Sequence, residues 1–359
     1  MVDARAVSLD PREQAVWRHD GPWWAPLVRR PHAATIGLAL IAVAAVAVVA
    51  AAYDLPIRDA DGMLGPRMWV LIGVLGTFFA LELSPRTIQG LRAGLGPRLA
   101  MAEALAERWS TRRLGAVLIG LGTFYVTYLS YRNLKSFLPF VAPQDLDTPL
   151  LGFEQGLFGG HPGPFLHDLL GTGLAAELLS MTYLAYLAFI PVSLGAAFIL
   201  AVNPVPGLWW VTALGLNWLL GALSYYLVPA MGPVYAAPDL FAALPHTGVT
   251  TLQETLLNHR LEVVANPFAT SEVQSIAAFA SLHTSVVFSG ALIAHLLRLP
   301  RPLRWFLWAF LALTLVATVY FGWHYVVDLV AGLAIGAVAV LGGAAATGHW
   351  RVLREARRG

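Results

Sequence analysis

The chain has 359 residues, 57% of them hydrophobic and only 12% charged, with a formal net charge of +2 and no cysteine. An ordinary soluble domain carries about 25% charged residues, so the composition excludes that class and points to a protein that lives in lipid. The lack of cysteine removes disulfides and thiolate chemistry, and the sequence carries no metal-ligand spacing, nucleic-acid motif or internal repeat.

Eight apolar segments are long enough to span a bilayer: 35–53, 67–83, 113–131, 174–200, 207–228, 276–298, 304–321 and 324–346. No segment reads as a short alternating strand, so the spans are helices. The expected fold is all-α, a polytopic membrane protein of about eight transmembrane helices. The first span follows a long arginine-containing segment unlike a signal-peptide n-region, and is expected to be retained.

Between spans, the basic stretch 86–113 reads as a cytoplasmic connector whose Arg108, Arg112 and Arg113 face anionic head groups. The loops 132–173 and 229–275 are long for structureless connections and are expected to hold short interfacial helices. "NPVPG" at 203–207 is a turn. Trp23, Trp24, Trp69, Trp209, Trp210, Trp305 and Trp308 suit interfacial belts.

Eight spans sort the Lys and Arg residues sharply. One side collects five before the first span, six in 84–113, three at 298–304 and four in the tail; the other has Arg58, Arg67, Arg132, Lys135 and Arg260. The excess places both termini in the cytoplasm, with a bacterial plasma membrane as the expected location. His283, His324, Asp328, Arg132 and Lys135 then gather at the outer face. The expected organisation is 1–112 as N-terminus, two additional helices and connector, 113–346 as a six-helix catalytic core, and 347–359 as a basic cytoplasmic tail.

His324 and Asp328 stand four apart in "VATVYFGWHYVVDLVAG". A single interfacial histidine is usually a hydrogen-bonded structural residue, and His295 keeps that reading. A paired His and Asp beside a bilayer is costly and tends to be retained for function. A carboxylate that binds one imidazole nitrogen leaves the other as a nucleophile. Attack on phosphorus then needs a proton donor, which His283 supplies, and positive charge, which Arg132 and Lys135 supply.

"ASLHTS" followed by "ATVYFGWHYVVDLVAG" resembles two signature motifs of the type 2 phosphatidic acid phosphatase (PAP2) superfamily. "YRNLKSFLP" and "YYLVPAMGPVY" are similar to elements of its branch containing inositol phosphorylceramide synthase and sphingomyelin synthase. The resemblance covers about 114–346 and implies a six-helix PAP2-like core. It also implies His324 as the phosphohistidine-forming nucleophile, Asp328 as its orienting carboxylate, His283 as general acid and base, and Ser281 as a phosphate contact.

The chain departs from the phosphatase branch at Ala317 and Thr318, where that branch has Ser-Arg, and at Leu282, where it has Gly. It also has Ala142 where the Lys-x6-Arg-Pro arginine would fall. Arg132, and after it Lys135, are the expected replacement cations. The resemblance implies chemistry on a lipid phosphate or phospholipid, with a polyol such as inositol as a transferase's acceptor or water as a phosphatase's, and with no metal or cofactor. A transporter with an Asp-His relay is disfavoured because the ionisable residues cluster at one face. A haem carrier lacks facing histidines at equal depth, and an intramembrane serine protease lacks its motif.

Overall fold

The computed structural model describes residues 31–59 and 66–349. The arginines before residue 31, Trp23, Trp24 and the basic tail lie outside the described residues. In chain order the elements are α1 (Pro31–Tyr53), α2 (Pro66–Arg92), α3 (Pro97–Arg108), α4 (Thr111–Val141), α5 (Asp147–Phe158), α6 (Pro162–Leu170) and α7 (Leu174–Gly195). Then come α8 (Val205–Leu227), α9 (Pro233–Ala236), α10 (Gly248–Ala265), α11 (Leu282–Leu296), α12 (Arg301–Tyr320) and α13 (Val326–Thr347). Every regular element among the described residues is helical, so the chain is an all-α polytopic membrane protein. Among the described residues seven helices are long and apolar enough to cross a membrane, and the 15-residue α11 is a shorter apolar helix at the place of the sixth expected span.

The helix α8 carries no charged residue and has apolar residues on every face, which buries it. It packs against α1, α4, α11 and α13. Trp209 and Trp210 are therefore core residues and not part of an interfacial belt: Trp209 Nε1 donates to the Val340 carbonyl at 2.9 Å and Trp210 Nε1 to Ser193 Oγ at 2.9 Å. A buried indole N–H needs such a partner, and the bundle interior supplies it.

Three other expectations change. The third span runs ten residues further than 131, so Arg132 and Lys135 lie within α4. Its end is tied down because Asn133 exchanges two hydrogen bonds with the Arg58 backbone, each 2.8 Å, and Tyr226 Oη donates to the Leu134 carbonyl at 2.5 Å. The sixth span starts later than 276. Ser281 Oγ caps α11 by accepting from Thr284 N, and the preceding backbone bonds sideways, Ala278 N to the Ala230 carbonyl at 2.9 Å.

Thirdly, Arg108 and Arg113 are not directed at head groups. They donate to carbonyls of Phe198, Ile199, Leu200, Ala201 and Val202, where α7 ends in a π-helical turn. A helix end leaves its last carbonyls without partners, and two guanidinium forks satisfy them. The two long loops do hold short helices, namely α5, α6, α9 and α10, together with a 3₁₀ turn at Pro238–Phe241.

The placement of the site depends on the contact of α13 with α11. A Cβ on Gly332 would lie 2.4 Å from the Ser281 carbonyl oxygen, and one on Gly336 would lie 2.7 Å from that of Ser285. This Gly-x-x-x-Gly stripe lets the two backbones touch. Gly332→Val should lower stability by about 1–3 kcal/mol, the usual cost of overpacking. Gly73, where a Cβ would meet nothing within 4 Å, serves as the control, since Gly73→Ala should be neutral or slightly stabilising. Thermal unfolding in detergent checks both, and equal midpoints for the two variants would contradict the close contact.

Candidate active site

Residues 321–325 form the turn between α12 and α13, and Tyr325 is the N-cap of α13. The expected span 324–346 thus starts two residues early, and His324 stands outside the helix and not on its face. Asp328 is the third residue of α13, and its Oδ2 accepts from Tyr325 N at 2.9 Å. That bond satisfies one of the amides that a helix start leaves unpaired.

The imidazole of His324 is only 4% exposed and the carboxylate of Asp328 is fully buried. Nδ1 of His324 lies 2.9 Å from the Ala278 carbonyl oxygen and 3.4 Å from Asp328 Oδ2. One N–H serves one good acceptor, so the backbone carbonyl is its closer partner and the carboxylate adds charge beside it. Either acceptor places the proton on Nδ1, which leaves Nε2 with its lone pair. Nε2 stands 3.2 Å from Nδ1 of His283.

His283 is the second residue of α11, whose cap is Ser281. Its ring packs against Tyr186 at 4.4 Å and Tyr183 at 4.7 Å between centroids, and Tyr183 stacks on Trp323 at 5.3 Å. The histidine pair thus sits in an aromatic basket contributed by α7 and the 321–325 turn. Tyr183 and Tyr186 were invisible in the sequence because a membrane helix carries tyrosines for many reasons.

Of the six residues singled out from the sequence, His283, His324 and Asp328 meet directly. Ser281 is fully buried; its Oγ accepts from Thr284 N, and its own N donates to the Asp328 carbonyl at 3.0 Å. Lys135 Nζ lies 4.9 Å over the Tyr225 ring. The Arg132 guanidinium turns back along α4 to Tyr128 Oη at 3.1 Å.

Two acidic residues of α5 had not stood out in the sequence. Asp147 accepts from Met231 N at 2.6 Å, Gly232 N at 2.8 Å and Tyr325 Oη at 2.7 Å, and Glu154 Oε1 accepts from Val326 N at 2.5 Å. Both are buried. The available signal was their spacing: residues seven apart lie on one helix face, and "DTPLLGFEQGLF" holds no other charge. Burial raises the Asp147 carboxyl against the pull of its three donors, and raises Glu154 to about 7, with the Val326 N–H opposing and the Asp328 charge adding. The described residues hold no group of three or more His, Cys, Asp or Glu side chains placed to bind a metal.

A family model described as the PAP2 superfamily matches residues 148–342, more than half of the chain. No curated protein and no solved structure matches it.

The shift at Glu154 fixes the sign of a pH effect. Its folded value lies above its ordinary 4.5, so across that window the folded chain keeps a proton that the unfolded chain has lost. Stability from this group is complete below the ordinary value and is lost as pH rises through the folded one. Glu154→Gln cannot ionise, so its unfolding temperature relative to the parent should rise by a few degrees between about pH 5 and about pH 8. Parallel curves for parent and variant would contradict the raised value.

Proposed function

Because the chain belongs to the PAP2 superfamily, we propose that it transfers the phosphoryl or phosphodiester group of a membrane lipid through a covalent phosphohistidine at His324. Membership supports phosphoester chemistry in a membrane protein. The observation that carries the finer reading is the pairing of His324 Nε2 with His283 Nδ1 at 3.2 Å while the other His324 nitrogen is occupied by Ala278 and Asp328.

In the first step the Nε2 lone pair forms a bond to phosphorus as the bond to the lipid oxygen breaks, and His283 gives its proton to that oxygen. In-line displacement puts the leaving oxygen on the far side of phosphorus, so the two rings must part as substrate enters. Among the described residues the His283 side chain makes one hydrogen bond, to His324, beside its ring contacts, so it is the ring that gives way. In the second step water or an alcohol forms the new bond to phosphorus, the bond to Nε2 breaks, and the incoming proton goes to His283. Lys135, whose Nζ lies over the Tyr225 ring, is the first proposed cation for the phosphoryl oxygens. Arg132 and Ser281 complete the proposed phosphate contacts. The 113–346 region is the proposed catalytic core.

The departures at Ala317, Thr318 and Leu282 favour the branch that resembles inositol phosphorylceramide synthase and sphingomyelin synthase, with a polyol such as inositol as acceptor. The alternative is a lipid phosphate phosphatase that uses water. Supplying the right polyol should divert product from free phosphate to a phosphorylated alcohol or phosphodiester, and His324→Ala should abolish both products together. Asp328→Asn should leave a trace of turnover. Free phosphate as sole product across a broad polyol panel overturns the transferase reading, and parental turnover by His324→Ala overturns the nucleophile.

The charge distribution supports cytoplasmic termini and an outward-facing site. With no native cysteine to interfere, His246→Cys on the exposed outer loop should react with an impermeant thiol reagent in intact cells, whereas Glu103→Cys should not. The reverse pattern contradicts this orientation.

A further inference from the structure

Three carboxylates meet the first turn of α13, and only Asp328 belongs to that helix. We propose that Glu154 and Asp147, both on α5, are positioning residues that fix the direction of the His324 imidazole; this rests on reading His324 as the nucleophile. Neither touches the histidine. Each acts on what holds it.

The first route is through the chain neighbours of His324. Tyr325 Oη donates to Asp147 Oδ1 at 2.7 Å, and Val326 N donates to Glu154 Oε1 at 2.5 Å. The phenol stays protonated for this task, since burial and the Asp147 charge raise it. The two residues that follow His324 are thus gripped by α5 through one side chain and one backbone amide.

The second route reaches the ring itself. Asp147 accepts from Met231 N and Gly232 N and so pins the 229–232 turn. The same turn takes Leu146 N on its Pro229 carbonyl at 2.9 Å, and its Ala230 carbonyl accepts from Ala278 N at 2.9 Å. Ala278 in turn offers its own carbonyl to His324 Nδ1 at 2.9 Å. Gly232 has φ of +108°, and a Cβ there would lie 2.5 Å from the Trp323 carbonyl oxygen. The turn that Asp147 holds therefore presses against the residue before the histidine. A single carboxylate fixes His324 from both ends, through its Nδ1 acceptor and through its backbone.

Such a clamp predicts a loss in the chemical step with substrate binding kept. The full chain in detergent, with dioctanoyl phosphatidic acid as probe, should show kcat for Glu154→Ala reduced about tenfold, as removal of one buried hydrogen bond implies. KM should stay within about twofold of the parent. Glu154→Gln, which still offers an acceptor oxygen, should recover most of the lost kcat. Glu154→Asp withdraws the acceptor by one methylene and should show the same loss as Glu154→Ala, which serves if the latter fails to fold.

A second readout needs no turnover. Diethylpyrocarbonate modification of His324, followed by mass spectrometry, should be several-fold faster in Glu154→Ala or Glu154→Asp than in the parent or in Glu154→Gln. Parental kcat together with a parental modification rate in either weakened variant overturns the clamp, as does a loss of kcat matched by a rise in KM and not recovered in Glu154→Gln. His324→Ala, run alongside, separates the two readings: turnover that survives it removes the nucleophile, while the modification rates still decide whether α5 holds the ring.

Discussion

The start of helix α13 lies beside the histidine pair with Tyr325 and Asp328 fully buried, and its first amide groups are met by carboxylates of the chain. Inside a membrane protein such groups must find acceptors within the chain. Asp328 takes Tyr325 N and Glu154 takes Val326 N. Negative charge at a helix start is also favoured by the helix dipole. The need to satisfy this one helix end brings a second element, α5, against the turn that carries His324, and with it the Asp147 network through Gly232 and Ala278. The histidine pair sits where the backbone had to be repaired.

The other half of the arrangement is steric. Gly332 and Gly336 let α13 lie against the start of α11, and this contact brings the His283 and His324 nitrogens to 3.2 Å. The rings around His283 belong to a different helix, α7, so the pair has aromatic surface on one side and the Ala278 carbonyl and Asp328 carboxylate on the other. In such surroundings a histidine's orientation is set by few contacts, and the loss of any one acceptor would be felt at the ring. Lys135 belongs to a fourth helix, α4, and lies over Tyr225.

Much of this was legible in the sequence because composition and spacing carry it. Apolar length gives the spans, and a His with an Asp four residues on stands out in a segment without other charge. What remained hidden has physical causes. The closer acceptor of the His324 N–H is a backbone carbonyl, and no residue type announces a carbonyl. Asp147 and Glu154 act on residues more than 80 positions away, a distance that only tertiary structure closes. Trp209 looked interfacial because tryptophan suits both a belt and a core with a carbonyl to bind. The pair of His324 and Asp328 straddles a helix start, and the carboxylate caps the helix while it faces the ring.

The central claim is the covalent step at His324. Acid-labile, alkali-stable phosphate should appear on the peptide containing residue 324 when the purified chain is mixed with a labelled lipid phosphate and quenched in alkali within a turnover. The label should be absent from that peptide in His324→Ala. Turnover in the parent with no phosphorylated peptide at 324, or with the label on another residue, would contradict the account.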